Sequence, residues 1–241
     1  AGFEINESKT RMQYRDSRQE ATGLVVNKRI NVRNEYRHQV RAMVHSLLTT
    51  GAFETWTAVE HSNSLGFELR KGTTNQLNGM LGFVYGVDEL YRASRPELSR
   101  FSNRFTSTGQ LYRRFLMFRD FYAAPKPVVI CEGTTDNVYL THAIRQLYRE
   151  LPELAAIGED GQIVLKVRLY KYHRSRTGEI LGLKDGGSGS LAKFISNYRQ
   201  DVKRFVAAGG TKPVVVLYDN DSGAQSIRSA IKQASGVKSS S

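Results

Sequence analysis

The chain has 241 residues, 35 Lys and Arg against 23 Asp and Glu, a formal net charge of +12 and a single cysteine, Cys131. The charge points to a polyanionic partner, and the length allows two modest hydrophobic cores. A lone cysteine excludes internal disulfides and Cys-based zinc sites and suits a reducing cytoplasm, the five histidines lack metal-ligand spacing, and no apolar run approaches the length of a membrane span.

Residues 1 to about 50 carry Lys9, Arg11, Arg15, Arg18, Lys28, Arg29, Arg33, Arg37 and Arg41, with few acids after residue 8. From Asn34 onward, Tyr36, Val40, Met43, Val44, Leu47 and Leu48 recur at helical spacing, which predicts an amphipathic helix whose other faces carry Arg37, Arg41 and His45. Basic side chains arrayed in this way track a phosphate backbone and make binding salt dependent. Any one of them alone is equally well a solvated surface charge. Trp56, in Phe53-Glu54-Thr55-Trp56, either covers the core of this half or stacks on a base.

Several ordered blocks in this half resemble the palm end and thumb start of a retron reverse transcriptase. They are Gly2-Phe3-Glu4-Ile5-Asn6 with Lys9-Thr10-Arg11, then Arg18-Gln19-Glu20-Ala21-Thr22-Gly23-Leu24-Val25-Val26-Asn27, then Tyr36-Arg37-His38-Gln39-Val40-Arg41-Ala42-Met43-Val44-His45. Leu77-Asn78-Gly79-Met80-Leu81-Gly82-Phe83-Val84-Tyr85 is similar to the thumb segment that comes next in those enzymes and in group II intron relatives. The resemblance implies that Arg18, Thr22, Gly23, Lys28, Arg33, Arg37, Arg41 and His45 contact a structured retron non-coding RNA and its branched RNA-DNA product. Ala21 stands where retron enzymes commonly show Val before Thr-Gly. The catalytic Asp-Asp of these polymerases sits in a Tyr-x-Asp-Asp turn upstream of the Gly-Phe-x-x-Asn block. The resemblance therefore implies an RNA-directed DNA polymerase whose catalytic palm residues lie outside this chain and belong to the rest of a longer polypeptide.

Ala123-Ala124-Pro125-Lys126-Pro127 comes after the helical stretch Arg113 to Tyr122 and predicts a domain boundary, because Pro stiffens a linker and stops the preceding helix. Beyond it, Val128 to Cys131 and Val214 to Leu217 are compact apolar runs that read as strands buried on both faces of a parallel sheet. The first run ends in Glu132, the second in Asp219 and Asp221. Functional groups of such sheets gather at the carboxyl ends of the strands, and two residues spaced by one on extended chain point the same way. Three carboxylates without His or Cys suit Mg²⁺ or Mn²⁺ and metal-assisted phosphoryl transfer. An isolated Asp-x-Asp also caps helices and fills turns. Here Glu-Gly-x-x-Asp (Glu132, Gly133, Asp136) and Asp-x-Asp-x-Gly (Asp219, Asp221, Gly223) both come after strands and precede helical patterns, the context such motifs require.

Between the two motifs, Val138, Ala143, Ile144 and Leu147 predict a crossover helix within residues 136–150, and residues 163–172 read as one strand with a basic face of Lys166, Arg168 and Lys171. Lys184-Asp185-Gly186-Gly187-Ser188-Gly189-Ser190 opens a helical run from Leu191 to Val206. Such a loop either brings backbone N–H groups up to a phosphate, with Lys184, Gly186 and Gly187 as its contacts, or is a plain connector. Lys166, Arg168 and Arg174 stand equally as phosphate contacts or as solvated charges. A last helix is expected from Gly223 to Ala234.

This pair of motifs resembles the Toprim fold of topoisomerases, bacterial primases and small nucleases. The resemblance implies Glu132 as general acid/base or metal ligand, Asp219 and Asp221 holding Mg²⁺, Asp136 at a second metal, and a further strand that truncation after residue 241 would remove. The fold expected is therefore two domains: a mainly α-helical reverse transcriptase thumb with a small β element over residues 1–122, then an α/β Toprim fold with a parallel sheet over 123–241. The combination resembles retron reverse transcriptases with a C-terminal Toprim effector, which implies a cytoplasmic antiphage system cleaving nucleic acid when infection perturbs the retron product, with self-association open. The competing reading is a Toprim module that binds nucleic acid or scaffolds an assembly without cleaving.

Overall fold

The computed structural model describes residues 7, 12, 14–27, 29–61, 64–95, 106–184 and 186–235. The Gly2 to Asn6 and Lys9 to Arg11 blocks, Lys28, Asp185 and residues 236–241 lie outside the described residues. Among those described are seven α-helices and several small sheets, one of them parallel, as an α/β chain requires.

The first sheet is a meander of β1 (Glu20–Ala21), β2 (Leu24–Val25) and β3 (Asn31–Val32). Ala21 pairs with Leu24, so Thr22 and Gly23 alone make the turn. Their φ values, 49° and 84°, are both positive, the requirement of a two-residue hairpin whose twist matches its strands. The helix expected from Asn34 is α1 (Asn34–Thr50), which buries Val40, Met43, Val44, Leu47 and Leu48. It ends at Gly51, where φ of 81° lets the N–H return to Leu47 O.

A hairpin of β4 (Glu54–His61) and β5 (Ser64–Lys71) comes next. A capping box between Thr73 and Gln76 then starts α2 (Thr74–Ala93). Helix α3 (Ser107–Met117) runs without a break into a π-helical turn, Phe118–Tyr122.

The central strand of the parallel sheet is β6 (Val128–Cys131), flanked by β9 (Arg168–Leu169) and β10 (Val214–Leu217) in the order β10-β6-β9. Helices α4 (Thr134–Gln146), α5 (Arg176–Leu181), α6 (Gly187–Val202) and α7 (Ala224–Ser235) connect and cover it. Strands β7 (Ala155–Ile157) and β8 (Ile163–Leu165) form a separate antiparallel pair.

Three expectations change. Strand β10 is not buried on both faces: it is an edge strand, and Val215 and Leu217 are 39 % and 40 % exposed. Residues 163–172 do not make one strand, because the backbone changes partner midway. Lys166 N donates to Leu154 O and Arg168 N to Pro127 O, which hands the chain from β8 to β9. In α4 the buried face is Asn137 and Ile144, while Val138 and Leu147 are exposed. Apolar residues occur on more than one face of this helix, so of the residues that spacing picks out only Ile144 is buried.

The Ala123 to Pro127 segment is held at both ends and at Ala124, while Ala123, Pro125 and Lys126 are exposed. Gly210 N donates to Tyr122 O, Val128 N to Pro213 O, and Ala124 is buried. One cluster of buried side chains runs from Val40 and Leu81 through Phe115, Leu116 and Phe121 to Ile180, Leu191 and Phe194, so the hydrophobic core is continuous across the expected boundary.

Candidate functional site

The register of the parallel sheet sets the site. Leu217 pairs with Cys131, so β10 and β6 end side by side and release Glu132 and Asp219 at the same carboxyl edge. Glu132 N donates to Leu217 O at 2.9 Å, and Asp219 N donates to the Glu132 carboxylate (Oε2) at 3.2 Å. Two motifs far apart in sequence are thereby hydrogen bonded.

The glycines of this edge sit close against neighbouring polar side chains. A Cβ on Gly133 would lie 2.9 Å from Asp136 Oδ2, and one on Gly223 would lie 2.7 Å from Ser188 Oγ. The second clash shows that the Asp-x-Asp loop packs on the first turn of α6. Gly186 has φ of 66° and sits against His173, with Glu132 O close by. The glycine-rich loop, both carboxylate motifs and His173 therefore share one end of the sheet. Gly187, at φ of 72°, opens α6 with free space beside it, and exposed Lys184 pairs with Glu179 at 3.6 Å. Arg174, φ 49°, turns the chain away at the surface.

Donor chemistry and position of Glu132, Asp219 and Asp221 fit a hard divalent cation. Three carboxylates of this edge are engaged otherwise. Asp136 Oδ2 accepts from Gly133 N at 2.9 Å and caps its own helix, Asp221 Oδ1 accepts from Gly223 N at 2.9 Å, and Glu132 is turned to Asp219. Among the described residues no group of three or more His, Cys, Asp or Glu side chains is drawn together to hold a metal ion.

Two neighbours escaped sequence reasoning. Tyr172 is buried and its hydroxyl donates to Cys131 O at 2.7 Å and lies 3.0 Å from Glu132 O, which fixes the backbone that aims Glu132. Burial first, and the nearby negative groups second, push its phenol up to about 12. Cys131 is fully buried, and burial with the Asp136 charge pushes its thiol up to about 11, which leaves it a core residue and not a nucleophile. The second neighbour, Asp120, is nearly fully buried in the π-helical turn and receives Arg119 at 2.8 and 2.9 Å, Arg168 at 3.3 Å and the Tyr170 hydroxyl at 3.2 Å. Burial pulls the Arg119 guanidinium down, but the hydrogen bonds and charge of Asp120 outweigh it and leave Arg119 raised. A sequence-only signal for Asp120 did exist, a charged Arg-Asp pair inside an aromatic run, Phe118 to Tyr122.

On the basic half, Arg41 and His45 stand exposed on α1, and no ion pair engages them among the described residues. Thr22 and Gly23 are exposed at the hairpin tip. Arg18 pairs with Glu20 at 2.6 Å and Glu35 at 3.1 Å, and Arg33 pairs with Glu20. The hydrogen bond that Arg18 donates to Glu35 leads the causes that raise Arg18, and the same contact leads those that lower Glu35. Arg37 is committed to the fold: it grips Asp88 at 2.6 and 3.0 Å and Asn31 at 2.5 Å, tying α1 to α2 and the meander. Trp56 does not cover the core. It is 61 % exposed and pairs across the hairpin with Leu69, beside exposed Phe67.

Fold and site thus define an α/β chain with carboxylates at the carboxyl edge of a small parallel sheet. No protein-family model matches the chain, and no solved structure matches it.

Proposed function

We propose that this chain is the nucleic-acid-binding thumb and the effector end of a retron-type reverse transcriptase, whose C-terminal Toprim-like half cleaves phosphodiesters with Mg²⁺ at Glu132, Asp219 and Asp221 in antiphage defence. The observation that carries the reading is the hydrogen bond between Asp219 N and Glu132 Oε2, which joins the two motifs at the edge where open parallel sheets hold their ligands. The +12 net charge supports a polyanionic substrate.

In this reading Asp219 and Asp221 hold the cation, with Asp136 at a second one. When bound, it supplies charge neutralisation at the scissile phosphate and acidifies a water. Glu132 keeps one carboxylate oxygen, Oε1, outside its bond to Asp219 N, and that atom takes or returns the proton. Tyr172 holds the Glu132 backbone still while it does so. Arg41, His45 and the Thr22-Gly23 tip face the structured RNA and the RNA-DNA product.

A second reading, a module that binds without cleaving, is favoured by one observation: the carboxylates are turned to backbone donors of their own loops. Cleavage of labelled RNA and single-stranded DNA, with Mg²⁺ or EDTA, decides between them. Wild type is compared with Glu132→Ala and Asp219→Asn at equal fold content by circular dichroism. Metal-dependent cleavage lost in both variants, with binding retained, is the expected result. Binding without cleavage in wild type establishes the second reading, and cleavage indifferent to both substitutions means the site lies elsewhere.

A further inference from the structure

Three cavities share lining residues along the side of the parallel sheet, and the last reaches Gly133. The first, about 510 Å³, opens at the N-terminus of α2 beside Thr74 and Asn75 and reaches Arg119, Asp120 and Arg168. The second, about 310 Å³, is lined by the same Arg119, Asp120 and Arg168 and continues to Lys171 and Thr177. The third, about 280 Å³, shares Lys171 and extends along Asn137 and His173 to Gly133, the residue after Glu132.

The charge of this row is unbalanced. Among the described residues Arg119, Arg168 and Lys171 are its cations and Asp120 is its only acid. That carboxylate, 3 % exposed, is shared by two guanidinium groups, and Lys171 has no ion pair among the described residues. Arg168 and Lys171 are exposed and Arg119 is partly buried, and positive charge in excess of its counter-charge attracts an anion. At the mouth of the row the dipole of the 20-residue helix α2, whose N-terminus Thr73 caps, also favours negative charge. A further feature lies at its far end. Asn137 is 6 % exposed, its Nδ2 donates to Tyr170 O at 3.4 Å, and its Oδ1 has no hydrogen-bond partner. A buried acceptor without a donor is destabilising. The cavity it lines is otherwise walled by Val138, Tyr172 and His173, apolar and aromatic surroundings that suit the ring of a nucleobase.

We propose that this row is the path of a single nucleic-acid strand. Its phosphates pass the N-terminus of α2, the Arg119–Arg168 pair and Lys171, one base seats against Asn137, and the next phosphodiester arrives at Glu132. Cavities of this size take one nucleotide at a time and leave no room for a duplex. The destination rests on the cleavage site proposed above; the affinity does not.

The test is equilibrium binding of the full chain to a fluorescent single strand, to a hairpin duplex of equal charge and to an abasic strand of equal length, across a salt series. Wild type is compared with Lys171→Ala, Arg168→Ala and, as a control cation outside the three cavities, Lys203→Ala. Asp120 keeps Arg119 and Tyr170 in the Arg168 variant, so the fold is retained and is verified by circular dichroism. The expected result is tighter binding of the intact single strand than of the abasic strand. Each of the two track variants should bind the single strand roughly 3- to 10-fold more weakly and lose about 0.7 from the slope of log affinity against log salt, the value of one single-strand phosphate contact, while their binding of the duplex, which the basic face of α1 is proposed to take, stays at the wild-type value. Lys203→Ala should match wild type. Unchanged slopes in both track variants overturn the proposal, as do an equal loss of duplex binding in them, equal binding of the abasic strand, and displacement of the strand by millimolar inorganic phosphate at constant ionic strength, which would mark a site for the free anion. Cleavage is read in parallel: altered slopes in a protein that never cleaves reject the nuclease reading and leave the strand path standing.

Discussion

Asp201 is the sharpest test of how the two halves are joined. It lies on α6, is 2 % exposed, and faces Arg113 at 3.2 Å and Arg114 at 3.6 Å, both on α3. Burial leads the causes that lower the Arg114 guanidinium, the neighbouring Arg204 adds to it, and Asp201 opposes both. Asp201→Asn keeps the volume and removes only the charge, leaving the Arg113 and Arg114 guanidinium groups without their shared counter-ion. Breaking a buried pair from one side destabilises by about 3–5 kcal/mol. Partial exposure of both arginines lets water recover some of that, so a loss of about 3 kcal/mol is expected, or roughly 6–12 °C in Tm for a chain of this size. Urea unfolding followed by circular dichroism measures it, and the double variant Asp201→Asn/Arg113→Gln should lose less than the sum of the singles because the orphaned charge is gone. A loss below about 0.5 kcal/mol would refute the role given to Asp201. A two-step curve in which only one step moves would refute the continuous core.

Stability should also fall in alkali. Cys131 is raised to about 11 and Tyr172 to about 12, both chiefly by burial, so the folded state favours their neutral forms. Their contribution is complete below the unfolded values of about 9 and 10 and is lost as pH rises through the folded ones, at most about 2–3 kcal/mol each. Urea midpoints at pH 8 and pH 11 measure it, and Tyr172→Phe should flatten the dependence; an unchanged midpoint in wild type contradicts the assignment. Gly178→Ala should unfold or severely destabilise the chain, because the added Cβ would lie 2.1 Å from Tyr172 O, a backbone atom; a normal melting curve would show that the α5 turn yields. Gly23→Ala places a side chain at φ of 84° in a two-residue turn and should cost about 1 kcal/mol, with weaker RNA binding if the tip meets the RNA. Equal stability would mean the turn relaxes.

Local patterns were legible wherever one physical rule dominated. Helix α1 was readable because Val40, Met43, Val44, Leu47 and Leu48 all lie on one stripe, and β6 because its four apolar residues occupy the centre of a sheet. The carboxylate edge was readable because neighbouring parallel strands deliver their next residues, Glu132 and Asp219, to the same side. The β4–β5 hairpin was not, since its outer face carries Trp56, Phe67 and Leu69 where alternation leads one to expect polar residues. The orientations of Asp136 and Asp221 were equally hidden: whether a carboxylate turns to a neighbouring N–H or to an ion depends on loop geometry that residue types do not encode.

The packed junction was the least visible feature, and its cause is specific. Pro125 and Pro127 carry the composition of a linker, yet the preceding π-helical turn sets Phe121 fully inside the core and Asp120 against β9. A π-turn fits five residues where an α-helix repeats in fewer, which shifts the face presented and is a frequent mark of functional positions. Here it lets one short segment supply both a core aromatic and the acid that Arg119 and Arg168 share. On the strand path proposed above, an arriving phosphate competes with Asp120 for those guanidinium groups. Arg168 belongs to β9, which pairs directly with β6 and so with the strand that ends in Glu132. Occupancy of the path and the position of the carboxylate edge are then two readings of one ion-pair cluster, and Asp120→Asn, which frees both arginines for phosphate, should strengthen strand binding while it weakens the fold.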